Sequence, residues 1–530
     1  MWRPIMLTIV TFALLAAGSA VAQAVDLGLY VTDYLDEQVV QITPLGGKIT
    51  TTARMFAAPG EYEPASFAVR PTERVEQMMM AATALRGPAG VIPAERVRVE
   101  SVEGFHGGDR NILMGLGHAW DMPAYSRELF WVTVHVPDDA TAGTYRGAVN
   151  ITSKGQRIGQ LDVELEVLPI TLVESPYALG YNYSSPKDPE VLAAHLRDMW
   201  EHGMRTVGPL YNFHLPINDD DTSELGQFLE AYKAAGYTQP VYFAAPMSLT
   251  VSDLLGYGPI GSRRFQRKFL SVMRKLHAEV ERHDVPVIFS VGDEFTNKGL
   301  PGVEYGETLA RLCYEELPEI VTTSDMNGYL EVTKMAPYLD VAAFNNGWDG
   351  ADHHNKGERL VNKDFILEVQ KTGAIPWFVN TGTGRFPYGF FFWKMAQYGV
   401  KGKIEWYYNL GDNESGSVVR TEGTQVWPTV AYERSREGID DLRYLCTLEQ
   451  AIADAPRRRA APAAVTAAQN LVKQIGDSIV DNWTIYTQGG AEFSVAGFDV
   501  MTDERVAAMG SYNAVRRAVA DAIIAIQGDG

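Results

Sequence analysis

The run Phe289-Ser290-Val291-Gly292-Asp293-Glu294-Phe295 carries the sharpest chemical signal in the chain, an apolar segment that ends in two adjacent acids. Acids at the start of a helix have a plain structural use, since they meet the favourable end of its dipole. Two carboxylates closing a buried, strand-like run are different, because acids in a cleft acquire shifted pKa values and with them catalytic uses. Adjacency limits the chemistry. Carboxylates that flank a glycosidic bond lie roughly 5 Å apart for retention or about 6.5–9.5 Å apart for inversion. Sequence neighbours at a strand end do not easily straddle a ring from opposite faces. They suit a division of labour on one side, with Glu294 protonating a leaving oxygen and Asp293 orienting a nucleophile that the substrate carries. A 2-acetamido group is such a nucleophile: its carbonyl oxygen attacks the anomeric carbon while Asp293 steadies the nitrogen as positive charge develops. An ionised Asp293 would also raise the pKa of Glu294, as a general acid near neutrality requires.

Other short apolar runs end in amides and aromatics: Tyr181-Asn182-Tyr183, Tyr211-Asn212, Pro246, Ser324-Asp325, Asn345-Asn346-Gly347-Trp348, Asn380-Thr381-Gly382 and Glu405-Trp406-Tyr407-Tyr408-Asn409. Rings that stack on pyranose faces and amides that bind hydroxyls make up a sugar site. Trp406 is the candidate for its hydrophobic floor, and Tyr408 or Tyr183 for donating to an acetamide oxygen. Asn345 and Asn380 are candidates for binding hydroxyls, with Trp348 as a further ring. For each, ordinary packing or a loop-capping amide is the competing reading. Metal chemistry finds little support, because His353 and His354 lack matching partners. His214, beyond the second run, weakly allows a lyase that works by β-elimination.

The elements that must position these residues change character along the chain. From Val25 to about Ser175, short alternating strands such as Ser66–Val69, Arg96–Val102, Phe130–Val136, Gly147–Thr152 and Leu161–Leu168 are punctuated by Gly, Pro, Asn and Asp, the pattern of an antiparallel β-sandwich. His106, Asp109, Arg110 and His118 fall in one Gly-rich stretch of it, read as a loop. After Pro176 the apolar runs alternate with amphipathic helices. The expected strands are 178–183, 206–210, 240–244, 285–291, 320–323, 341–344, 375–379 and 403–407. That alternation predicts a (β/α)8 TIM barrel, whose catalytic groups sit at the C-terminal ends of its strands. A doubly wound sheet is disfavoured because no Gly-rich phosphate turn follows the first strand. The expected layout is a signal peptide over 1–22, an N-terminal β-sandwich over 23–175, a barrel over 176–452 and a C-terminal helical region over 453–530.

The first residues direct export. Arg3, an apolar run from Ile5 to Ala17 and the small-x-small pattern Ala20-Val21-Ala22 make a cleavable signal, too short to span a bilayer comfortably. The expected location is therefore secreted or periplasmic, with cleavage near Ala22. A net charge of −20 argues against a nucleic-acid partner, and no later run is long and apolar enough for a membrane span. The two cysteines, Cys313 and Cys446, sit in helical segments without metal-ligand spacing and read as free thiols.

These residues together resemble glycoside hydrolase family 123 and its uncharacterised relatives. The resemblance rests on Gly60-Glu61-Tyr62-Glu63-Pro64-Ala65-Ser66-Phe67, on Val136-Pro137 through Ala142-Gly143-Thr144-Tyr145, and on Gly292-Asp293-Glu294. Trp406-Tyr407-Tyr408-Asn409 and the ten-residue run from Arg436 to Leu445 complete it. It implies a retaining exo-β-N-acetylgalactosaminidase using substrate-assisted catalysis, with Glu294 as acid/base, Asp293 as stabiliser of the acetamido group, and no metal or cofactor. The implied partner is a carbohydrate with a terminal amino sugar. The stretch 411–425 has no counterpart among these resemblances. Alternatives are a glycosidase acting on a different sugar with the same scaffold, and a non-catalytic carbohydrate-binding protein.

Overall fold

The computed structural model describes residues 27–32, 50–88, 90–105, 110–210, 213–346, 360–410, 417–481 and 511–528. The signal segment 1–22, His106, Asp109, Tyr211, Asn212, Trp348, His353 and His354 lie outside them.

The first strands form two facing sheets. One has the order β1 (Leu29–Thr32), β3 (Tyr62–Val69), β10 (Glu128–His135), β7 (Val97–Phe105), β8 (Arg110–Gly115). The other runs β2 (Thr52–Ala57), β12 (Gln156–Val167), β11 (Gly143–Ser153), β4 (Val75–Ala82), β9 (Trp120–Met122), with the hairpin β5 (Leu85–Gly87) and β6 (Gly90–Ile92) alongside β11. Period-two alternation builds the core between them: Leu161, Val163, Leu165 and Val167 of β12 are buried while their neighbours are half-exposed. The segment expected as a loop around Arg110 is strand β8. Its Ile112 bridges to Thr429, so this edge is covered by the second domain instead of facing water.

Eight parallel strands then make the barrel: β13 (Ala178–Tyr183), β14 (Thr206–Pro209), β15 (Val241–Phe243), β16 (Val287–Asp293), β17 (Thr322–Met326), β18 (Val341–Phe344), β19 (Ile375–Val379) and β20 (Gly402–Glu405). The ladder runs from β14 through β13 and β20 round to β15. The remaining gap is joined by the Ala244 and Ala245 N–H groups donating to Pro209 O at 3.1 and 3.0 Å. Alternation sorts each strand into two layers. Ala178, Tyr242, Ile288, Val341, Ala343, Trp377, Val379 and Ile404 fill the interior. Leu179, Tyr181, Tyr183, Val207, Phe289, Phe344 and Phe378 pack outward under the helices.

Those helices are α1 (Pro189–Glu201), α2 (Ser223–Ala234), α3 (Arg263–Val280), α4 (Gly299–Glu316), α5 (Tyr329–Met335), α6 (Lys363–Gln370), α7 (Phe390–Ala396) and α8 (Val430–Arg458). Local chemistry starts several of them. Asp188 accepts from the Glu190 and Val191 N–H groups ahead of Pro189, Ser262 accepts from Phe265 N–H, and Thr429 from Tyr432 N–H. Two further helices, α9 (Pro462–Ser478) and α10 (Tyr512–Gln527), form the C-terminal extension. Cys313 and Cys446 are free thiols. Among the described residues no helix is long and apolar enough to cross a membrane.

The two domains meet over a buried ion network. Arg516 of α10 donates to Asp441 Oδ1 at 2.6 Å, Glu437 Oε2 at 2.8 Å and Glu63 Oε2 at 3.4 Å. Arg385 holds both oxygens of Asp441, at 2.6 and 2.8 Å. Tyr444 OH donates to Glu61 Oε2 at 2.8 Å. The segments Gly60–Phe67 and Arg436–Leu445, far apart in sequence, are thus two halves of one interface.

Candidate active site

Strand β16 ends on Asp293, and the next residue turns sharply. Glu294 has φ +40° and ψ +55°, a left-handed conformation that residues with a Cβ seldom adopt. In a continuing strand the two acids would point to opposite faces. The turn instead gives them separate partners at the same end of the barrel. The Glu294 N–H donates to Asp325 O at 2.8 Å, Asn297 Nδ2 donates to Glu294 Oε2 at 2.9 Å, and Asn345 Nδ2 lies 3.5 Å from Glu294 Oε1. Asp293 pairs across the ladder with Asp325 of β17.

This cluster of acids sets its own electrostatics. Burial pushes Asp293 up to about 6, the neighbouring Glu294 adds to the rise, and Lys298 opposes it. The structure therefore places an upward shift on the residue whose ionised form the sequence analysis used to raise its neighbour. Asp325 is pushed up further, to about 8, by burial and then by Asp293, although Tyr242 OH and Ser290 Oγ both donate to its Oδ1. Near neutrality the site thus holds an ionising acid beside one that is still protonated.

The remaining candidates divide by the face of their strand. Asn345 continues the interior parity of Val341 and Ala343 and meets Glu294. Trp406 follows β20. That strand stands four places from β16 in the eight-strand ring, so Trp406 follows the strand end opposite the acid pair, its side chain 37% exposed and edge-on to Tyr407. Asn380 caps β19 with φ +52°, its Oδ1 buried without a hydrogen-bond partner among the described residues. Among the described residues no hydrogen bond joins Asn380 to Asp293 or Glu294.

Tyr183 and Tyr408 are corrections to the sequence analysis. Tyr183 shares the outward parity of Leu179 and Tyr181, and its OH meets His195 Nδ1 of α1 at 3.0 Å. Tyr408 OH donates to Asp198 Oδ2 of the same helix at 2.9 Å, and the two rings pack edge-on at 5.5 Å. Both phenols are spent in the strand–helix layer and do not line the mouth. Parity would have pointed to Asn182 instead. His214 lies on an outer loop, 3.1 Å from Asp219.

Asp325, which the sequence analysis set at a strand end without giving it a role, joins the acid cluster. It stood in plain view after an apolar run, but the strand was expected to stop at Thr323 and runs on to Met326. Among the described residues no group of three or more His, Cys, Asp or Glu side chains is arranged to hold a metal ion.

No family model matches the chain, and no curated protein matches it. Its fold is similar to that of a family 123 glycoside hydrolase from Clostridium perfringens, solved in work on glycolipid glycan hydrolysis. The TM-score is 0.64 at 12% identity, over 94% of this chain and 99% of that one. At this identity the likeness speaks for the fold alone. A family 39 glycoside hydrolase from the gut symbiont Bacteroides cellulosilyticus WH2 aligns over 74% of this chain and 82% of its own, at 11% identity and a TM-score of 0.39, too low to carry an argument.

Proposed function

We propose that this chain is an exported glycoside hydrolase of the family 123 type that removes a terminal β-linked N-acetylhexosamine, galacto-configured by that resemblance. One observation carries the reading: two sequence-adjacent acids at the top of the fourth barrel strand, given different partners by the left-handed turn at Glu294. The similar fold supports it, as does the half-exposed Trp406 after the opposite strand end.

The chemistry follows from that arrangement. The acetamide carbonyl oxygen of the bound sugar attacks its own anomeric carbon as the C1–O bond to the leaving group breaks. Glu294 delivers its proton to the departing oxygen. Asp293, ionised, accepts the acetamide N–H and offsets the positive charge of the oxazolinium ring. Water then attacks C1 from the face the leaving group vacated and gives its proton to Glu294. Two displacements restore the β configuration. Asn345 holds Glu294 and is within reach of a hydroxyl, Trp406 offers a face for the ring, and Asn380 is a second amide for hydroxyls. No step calls for a metal or a redox cofactor. Export rests on the sequence of residues 1–22.

The test is hydrolysis of 4-nitrophenyl β-N-acetylgalactosaminide by the mature protein, beside the gluco epimer and the β-galactoside. Turnover of the N-acetyl sugars without the galactoside is expected. Asp293→Asn should depress turnover of every substrate. Glu294→Gln should cut turnover by about 10²–10⁴-fold for poor leaving groups and far less for activated aryl glycosides, which need little protonation. Equal losses for both classes would remove Glu294 from the acid role. Hydrolysis of the galactoside alone would replace substrate assistance with a different nucleophile.

A further inference from the structure

A left-handed backbone at a residue with a Cβ persists only where its surroundings impose it. At Glu294 the backbone bonds from Glu294 N–H to Asp325 O and from Asn297 N–H to Glu294 O are joined by one buried side chain that fixes the residues after the turn. Phe295 N–H donates to Glu331 Oε1 at 2.6 Å, and Thr296 Oγ1 and Asn327 N–H both donate to Glu331 Oε2, at 2.9 and 3.0 Å. Glu331 lies in the first turn of α5 and is fully buried. It therefore ties the turn after β16 to the loop after β17.

An acid is a poor stabiliser in that place. Burial pushes Glu331 up to about 7, Glu294 adds to the rise, and the groups that oppose it are the three hydrogen-bond donors. What a carboxylate offers is geometry, being a side chain with two acceptor oxygens and no donor. Three donors converge on it from two loops. A glutamine would turn an NH2 group towards at least one of them.

A second arm reaches the carboxylate of Glu294 itself. Asn327, whose N–H is held by Glu331, donates from Nδ2 to Asn297 Oδ1 at 3.0 Å, and Asn297 Nδ2 donates to Glu294 Oε2 at 2.9 Å. The packing leaves no slack, because a Cβ at Gly328 would run into the Thr296 side chain.

We infer that Glu331 is a positioning residue for Glu294, fixing both the turn that carries the acid and the amide chain that orients its carboxyl. This rests on the reading of Glu294 as acid/base. Removing the anchor should spoil proton delivery more than sugar binding, since misplacing a catalytic group costs rate steeply.

The experiment uses the full-length Glu331→Gln variant with two readouts. In its crystal structure, Glu294 should leave φ near +40° and lose the Asn297 contact. In kinetics over aryl glycosides of graded leaving-group ability, kcat on the poorest should fall about 10- to 100-fold. KM should stay within about threefold, and the most activated substrates should change least. Should that variant fail to fold, Thr296→Val removes one of the three donors and should shift the same leaving-group dependence by a smaller factor. Thr296→Ser, which keeps the hydroxyl, should restore it. A folded variant that keeps Glu294 in its original conformation, or loses rate equally on all leaving groups, overturns the inference. Glu294→Gln separates the two claims. If it is not selective for poor leaving groups, the acid assignment falls; if it is and Glu331→Gln is not, only the positioning role falls.

Discussion

Asp293, pushed up to about 6, and Asp325, pushed up to about 8, bracket a pH window. Below it Asp293 is protonated and cannot accept the acetamide N–H. Above it Asp325 ionises and brings another negative charge one strand away from Asp293 and Glu294. The pH profile of kcat/KM should therefore be a bell with an acid limb near 6 and an alkaline limb near 8. Asp325→Asn keeps an uncharged acceptor for Tyr242 and Ser290. It should leave the acid limb in place and move the alkaline limb upward by at least about one unit. An alkaline limb that stays put in this variant would assign that limb to another group.

At the scale of strands and helices, the end of the barrel is held by a buried ion pair and its hydrogen bonds. Lys403 of β20 donates from Nζ to Thr381 Oγ1 and Gly382 O, both at 2.7 Å, and to Glu405 Oε2 at 2.8 Å, locking the ends of β19 and β20 just before Trp406. Lys403→Met leaves Glu405 buried without its cation and should cost about 3–5 kcal/mol in denaturant unfolding. The double variant Lys403→Met/Glu405→Leu should recover most of that loss; an additive double variant would mean that the pair is not the source. Sequence periodicity made these strands legible because their buried residues are apolar. It failed where a buried strand carries polar residues. The sequence reading stops this strand at Thr323, although Ser324 and Asp325 are both buried within β17. The aromatic character of Tyr183 outweighed a parity that Ala178 already set. Helix α5, seven residues long and opened by Gly328 without a side-chain cap, left no sequence signal, and with it Glu331 went unnoticed. The acid pair was legible as composition; its left-handed turn was not, since Glu294 is held by residues that follow the next strand.

For the whole molecule, several acids are more strongly protonated when folded than when unfolded. Glu61 is pushed up to about 8 by burial and Asp440, Asp325 to about 8, and Glu331 to about 7. Each raised value favours the folded state at low pH, and that contribution is lost as pH rises through the folded value. Calorimetry should show Tm falling as pH rises between about 5 and 8 and levelling off above that, with a shallower fall in Asp325→Asn. A Tm that climbs over this range would mean that other groups dominate. The network around Arg516 has a consequence for how the chain is made. Glu63 is synthesised with the sandwich, Glu437 and Asp441 with the eighth barrel helix, where Arg385 already holds Asp441, and the second guanidinium, which spans all three carboxylates, arrives with α10. Until then Glu63 and Glu437 lack that partner and are better left hydrated, so the sandwich and barrel are expected to pack less tightly as the ribosome releases them. The seam between the two domains is therefore expected to be completed late in synthesis, when α10 brings Arg516 to it.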